Sequence, residues 1–251
     1  MLDQLHLYQN QCPGDLTTEE IKSYLFYCRE KRGLSNSYIN QTISALKILR
    51  KDVLGLSWDE GIKIKRPRRQ SILPDILSRK EVLAMIDNTS NPKHKAILAV
   101  LYSSGIRMEE LLGLRLKDID SERMVMRIVH GKGGKSRDVL LSPRTLELLR
   151  HYYRLIWRKP SVYVFEGFKQ GRPYTTTSVR QIVKVAVARA GIKKHIYPHS
   201  LRHAFATHML EDGANLKVIQ QLLGHSSLRS TMFYLHVAGI DATVKSPFDS
   251  L

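Results

Sequence analysis

"YPHSLRHAFATHML" (residues 197–210) places three histidines and an arginine on one short segment. Pro198 suits the first turn of a helix, where an N–H would have no partner anyway. Steps of three and four then put Leu201, Ala204, Phe205 and His208 on one face, expected to pack inward with His208 as a hydrogen-bonded core histidine. His199, Arg202 and His203 fall on another face near the N-terminus, expected to point outward, where free amides and the helix dipole favour an anion. Zinc could use His199 and His203 at i, i+4. The HExxH glutamate is missing, however, and Arg202 would set a fixed charge beside the ion, so no metal is expected. A planar guanidinium and an imidazole that can take or give a proton near neutral pH suit a phosphate better.

The rest of the chain also points to a polyanion. Its 251 residues carry 40 Lys and Arg against 23 acids, a formal charge of +17. Such a surplus predicts DNA or RNA as partner. From Gly167 to Leu210 there is no Asp or Glu but eight Lys or Arg, as expected of a face built for phosphates. A membrane partner is not expected: the longest clean apolar run, "AILAVLY" (96–102), is far short of the roughly 20 residues a span requires. "MLDQLHLYQNQ" lacks the basic head and apolar core of a signal peptide. Cys12 and Cys28, with no CxxC, suit a reducing cytoplasm.

Helical periodicity dominates. Residues 17–54 read as two helices, the first opened by a Thr17/Glu20 capping box and stopped at Gly33, with room for a short third near the N-terminus. "IKIKRPRRQSILPDILSRK" (62–80) holds seven Lys or Arg and two prolines, which suits an extended strap along a phosphate backbone, contacted by Lys65, Arg66, Arg68 and Arg69. A Ser78/Glu81 capping box opens a second helical region. "MVMRIVHGKGGKSRDVLLS" (124–142) interrupts it with two β-rich arms around a glycine-rich turn, hence a hairpin. Its "HGKGGKSR" is no P-loop, since Val129 stands where the first glycine must be. It would instead carry Lys132 into a groove, with Lys135 and Arg137 beside it as further nucleic-acid contacts. The expected class is mainly α with a small antiparallel β-sheet (α+β). The expected domains are a helical one over 1–61, a basic linker over 62–77, a larger one over 78–239 and a tail over 240–251.

Taken singly, the remaining motifs are weak. In "SSGIRMEELLGLR" Arg107 starts a helix and could pair with Glu110 three residues on. In "LLGHSSLRSTMFYLHV" (222–237) His225 follows the cap Gly224, and Tyr234 stands nine residues later among ten other tyrosines. Their order is specific. Arg in "SGIRMEELLGLR", Lys in "HGKGGKSR", then "HSLRHAFATH", "LLGHSS" and a tyrosine nine residues on resemble the tyrosine recombinase (phage integrase) family over about 75–237. The basic hinge and the helices before it resemble that family's linker and core-binding (DNA clamp) domain.

The resemblance implies a metal-independent, cofactor-free strand transferase of the Xer-like or simple-integrase kind. Arg107 and Arg202 would clamp the scissile phosphate, His199 and His225 complete the pocket, Lys132 protonate the leaving 5′-hydroxyl and Tyr234 attack. Glu110 would support Arg107. A 3′-phosphotyrosyl link conserves the bond energy without ATP. The implied partners are double-stranded DNA and further copies of the chain in a tetrameric synapse. The implied place is the cytoplasm, on the nucleoid, and the tail would dock on a neighbouring protomer. Topoisomerase IB-like relaxation without exchange, or DNA-binding regulation without catalysis, are the alternatives.

Overall fold

The structure, a computed structural model, describes residues 2–56, 64–67, 75–129, 136–225, 227–232 and 234–235. The chain divides into two compact units, 1–72 and 73–251. In the first, α1 (Leu2–Gln9), α2 (Thr18–Glu30) and α3 (Asn36–Ile48) enclose Leu5, Leu16, Ile21, Tyr24, Cys28, Ile43 and Leu46. The short third helix is α1, anchored by its fully buried Leu5. The Thr17 capping box forms: Glu20 N donates to the Thr17 hydroxyl, and Glu20 accepts from Thr17 N at 2.8 Å. α3 runs on into a π-helical turn, Leu49–Val53. Of the strap residues, Lys65 is exposed and Arg66 lies along α3, donating to Asn40 O at 3.3 Å and Ser44 Oγ at 3.1 Å. Arg68 and Arg69 fall outside the described residues.

The second unit is built on α5 (Pro92–Ser104), whose Ala96 to Leu101 are all buried. A helix apolar on every side must be surrounded. Around it pack α4 (Arg79–Asp87), α6 (Met108–Gly113), α7 (Pro143–Leu155), α8 (Thr176–Arg189) and α9 (Pro198–Glu211). β1 (Ile119–Asp120), β2 (Val125–Ile128) and β3 (Arg137–Leu140) form an antiparallel sheet in the order β1-β2-β3, with Ile128 opposite Arg137. The expected hairpin is β2 and β3. β1 adds a strand of two residues, too short to show any alternation. α10 (Leu216–Leu223) and α11 (Arg229–Met232) close the described chain, and Ile219 and Leu223 pack on Phe205 of α9. The architecture is mainly α with a small antiparallel sheet.

Gly105 decides how α5 meets α9. It ends α5 at φ 61°, and a Cβ there would lie 2.3 Å from Phe205 Cδ1 and 3.0 Å from Leu223 Cδ2. Gly105→Ala therefore meets both a strained backbone and a buried ring. The expected loss is about 2–4 kcal/mol of unfolding free energy, read from a urea midpoint.

Candidate active site

Three guanidiniums converge on the C-terminus of α10. The last carbonyls of a helix lack intrahelical donors and carry partial negative charge. Here Leu222 O accepts from Arg137 Nε at 2.8 Å, Leu223 O from Arg202 Nη2 at 2.6 Å, and Gly224 O from Arg107 Nη2 at 3.2 Å. Arg202 also donates from Nη1 to Gly105 O at 2.6 Å, so it bridges the ends of α5 and α10. Gly224 turns the chain at φ 62°, and a Cβ there would stand 2.9 Å from Arg137 Nη1.

The outward placement of Arg202 is therefore corrected. Its side chain is only 1% exposed and is among the largest fully buried ones. Viewed alone, α9 has a polar stripe at 199, 202 and 203; in the fold, α10 and the Gly105 turn cover the middle of it. Burial removes water from the Arg202 guanidinium, and Arg107 adds repulsion, lowering its pKa to about 10. It remains charged at neutral pH. Its Nε is buried with no partner among the described residues.

Arg137 requires a second correction. Expected to touch nucleic acid, it turns inward and is only 12% exposed. Nη1 and Nη2 donate to Glu110 Oε1 at 2.9 Å and Oε2 at 2.8 Å. Glu110 also accepts from Arg107, from Nη1 at 2.9 Å and from the backbone N at 2.8 Å. Each carboxylate oxygen thus holds two donors. Burial pushes the Glu110 pKa up, but Arg137 and Arg107 outweigh it and bring it down to about 2.

The aromatic half of the site lies on the same side of α9. Tyr234, 2% exposed, packs with Phe205, Ile219 and Leu223. Its hydroxyl shares a 3.0 Å hydrogen bond with His203 Nδ1. The His203 ring lies 4.8 Å from that of His199, and the His225 ring 6.4 Å from that of Tyr234. His225 Nδ1 meets Thr231 Oγ1 at 2.9 Å. His208, as expected, is buried away from the cluster, on Tyr102 Oη at 2.9 Å. Burial raises the Tyr234 pKa, with Arg202 and Arg107 pulling the other way. Arg107, Glu110, His199, Arg202, His225 and Tyr234 thus share one neighbourhood. His203 joins them; its i, i+4 step from His199 is the signal for it. Lys132 and Lys135 fall outside the described residues.

Two clefts open beside Arg107. One, of about 500 Å³, is lined by Arg115, Lys117 and Arg127; the other, about 360 Å³, by Arg180, Tyr197 and His199. A larger cavity of about 620 Å³ along α7 shares no residue with the cluster. No group of three or more potential metal-binding side chains occurs among the described residues, and none of the described helices is long and apolar enough to cross a membrane.

His199, His203 and His225 are neutral at physiological pH. Burial first, then His199 and Arg202, bring His203 down to about 4; burial, Arg202, Arg107 and His199 bring His225 down to about 4; burial, Arg202 and Arg107 lower His199 as well. A histidine whose folded pKa is depressed contributes stability that is complete above its unfolded value of 6.5 and is lost as pH falls toward 4. The urea midpoint is therefore expected to fall steadily between pH 6.5 and 4. A phosphate bound among these side chains should oppose that fall, because it raises the pKa of each imidazole near it. An acid limb unchanged by an added phosphate-bearing ligand would show that no anion binds there.

The phage integrase family profile matches residues 75–239, and the N-terminal SAM-like domain of phage integrases matches residues 2–60. The integrase/recombinase y4eF of Sinorhizobium fredii is 40% identical over 94% of this chain and 94% of its own length. Tyrosine recombinase XerD of Shewanella oneidensis is 34% identical over 89% of this chain and 78% of its own. The crystal structure of XerA recombinase superposes with a TM-score of 0.61 at 31% identity, covering 93% of this chain and 83% of that one. The chain belongs to the phage integrase family of tyrosine recombinases.

Proposed function

We propose that this protein is a site-specific DNA recombinase that cleaves and rejoins strands through a 3′-phosphotyrosyl intermediate, with Tyr234 as nucleophile. One observation carries the assignment: the Tyr234 hydroxyl sits on His203, in the field of Arg202 and Arg107. Arg107 and Arg202 hold the non-bridging oxygens of the scissile phosphate. Both guanidiniums are held by protein oxygens before DNA arrives, and positive charge fixed in advance is worth most where negative charge builds in the transition state. His199, neutral and exposed at the start of α9, orients the phosphate or assists proton removal, and His225 completes the pocket. Glu110 braces Arg107. Lys132, carried between β2 and β3, protonates the departing 5′-oxygen. No cofactor or metal ion enters these steps.

The phosphotyrosyl bond keeps the energy of the phosphodiester, so a 5′-hydroxyl from a partner duplex can reverse the step. Residues 1–61 act as the DNA clamp and 62–77 as the basic linker, with Lys65, Arg66, Arg68, Arg69 and Lys135 on the phosphate backbone. Residues 78–239 form the catalytic domain. The working species is a tetramer on two duplexes, acting in the cytoplasm on nucleoid DNA or a mobile element, and residues 240–251 dock on a neighbouring protomer.

The test uses DNA with a nick just beyond the cleavage site, so that the released fragment diffuses away and the adduct accumulates. Digestion and mass spectrometry should find the nucleotide on Tyr234. A mixture of two marked duplexes should give recombinant products. An adduct on another residue, or relaxation without recombinants, would refute the proposal.

A further inference from the structure

Glu110 holds Arg107, but Glu110 itself is held from the opposite side. Arg137, the first residue of β3, docks both Nη atoms on the two oxygens of Glu110 and its Nε on Leu222 O. Every nitrogen of its guanidinium is engaged within the protein, and the group lies against Gly224, the residue whose carbonyl holds Arg107 Nη2. Arg137 therefore touches both supports of Arg107.

Two consequences follow. Arg107 alone holds Glu110 at one side-chain and one backbone donor; the opposed fork of Arg137 adds a second donor to each oxygen and narrows the freedom of the carboxylate's last torsion further. Charge matters as well. Glu110 alone would cancel the charge of Arg107. With Arg137 on the same carboxylate, the three groups together carry one net positive charge, available to a phosphate at Arg107.

We infer that Arg137 is a positioning residue for strand cleavage, fixing Arg107 for the scissile phosphate through Glu110 and the end of α10. This rests on the assignment of Arg107 to that phosphate. Arg137 stands close to the hairpin turn in sequence, yet it serves the reaction without touching DNA.

The test compares full-length wild type, Arg137→Gln, Arg137→Lys and Arg107→Ala on two nicked substrates. One has a normal scissile phosphate; in the other, a methylphosphonate, a methyl group replaces one non-bridging oxygen and removes the charge that Arg107 neutralises. At saturating DNA, Arg137→Gln should cleave the phosphodiester about 100-fold more slowly, with DNA affinity within about threefold of wild type. On the methylphosphonate both Arg137→Gln and Arg107→Ala should come within about tenfold of wild type. Adding Glu110→Gln to Arg137→Gln should cost little more than the worse single change, because both act through one contact. If Arg137→Gln does not fold, Arg137→Lys carries the test, with a loss of about tenfold and the same substrate dependence.

A loss confined to DNA affinity would make Arg137 a DNA contact and overturn the inference. Equal losses on both substrates would make its role merely structural and also overturn it. Substrate dependence in Arg107→Ala but not in Arg137→Gln would overturn this inference alone. Equal losses in Arg107→Ala would overturn the Arg107 assignment, and this inference with it.

Discussion

Tyr234→Phe is expected to eliminate the covalent protein–DNA adduct while leaving DNA binding within about threefold of wild type. The change removes one oxygen. Phenylalanine fits the same slot against Phe205, Ile219 and Leu223, so the apolar packing survives. The loss inside the protein includes the 3.0 Å bond to His203, worth about 1 kcal/mol. Affinity should hold, because phosphate contacts come from arginines, lysines and histidines rather than from the nucleophile. Chemistry should not, because phenylalanine has no atom with which to form the phosphodiester. Water would have to attack instead, without the aligned oxygen, and cleavage at saturating DNA should fall by at least about 10⁴-fold. The checks are adduct yield on a denaturing gel and a binding isotherm on the same DNA. Adduct at wild-type yield would move the nucleophile elsewhere.

How much of this was legible in the sequence differs between its two halves. Helix boundaries were readable because their signals are local. Ser78 and Glu81 form their capping box as the spacing predicts, and Gly105 and Gly224 end their helices with positive φ. The site was readable as an order of motifs, not as a geometry. Nothing in "SGIRMEELLGLR" says that Arg107 will reach Gly224, 117 positions away. The outward face drawn for Arg202 was wrong for the same reason: periodicity divides a helix into faces but does not know which neighbours cover them. Arg137 was misplaced because a basic residue beside a glycine-rich turn looks like a surface contact. Its carboxylate partner is 27 residues away, and the carbonyl it caps 85 away. His203 was on the page at four residues from His199, but only the fold brings Tyr234 to it. Burial, which keeps His199, His203 and His225 neutral, was not readable from types and spacing.

Arg202→Lys tests the buried arginine where charge alone cannot decide the outcome. Lysine keeps the positive charge but offers one nitrogen on a flexible stem, whereas arginine offers a rigid fork. In the native site that fork spans Gly105 O and Leu223 O, each at 2.6 Å, with Nε buried beside them. A single ammonium has three N–H donors but only from one point, whereas the two carbonyls are met here by separate nitrogens, so it cannot keep that geometry and also meet a phosphate. If it turns to the carbonyls, the phosphate loses a donor; if it turns to the phosphate, both carbonyls are left buried. Removing one preorganised donor from a developing oxyanion costs about 10²–10³ in rate. The loss of alignment adds to this, so Arg202→Lys is expected to cleave at least about 10³-fold more slowly at saturating DNA. It should also lose about 2–3 kcal/mol of stability from the unpaired buried groups. Arg107→Lys provides the contrast. The Arg107 side chain is 20% exposed and rests on Glu110, so lysine there can still pair with the carboxylate while its stem reaches water. That variant should lose a comparable fraction of cleavage but less than about 1 kcal/mol of stability. Cleavage by Arg202→Lys within tenfold of wild type, at an unchanged urea midpoint, would show that the fork neither ties α5 to α10 nor holds the phosphate.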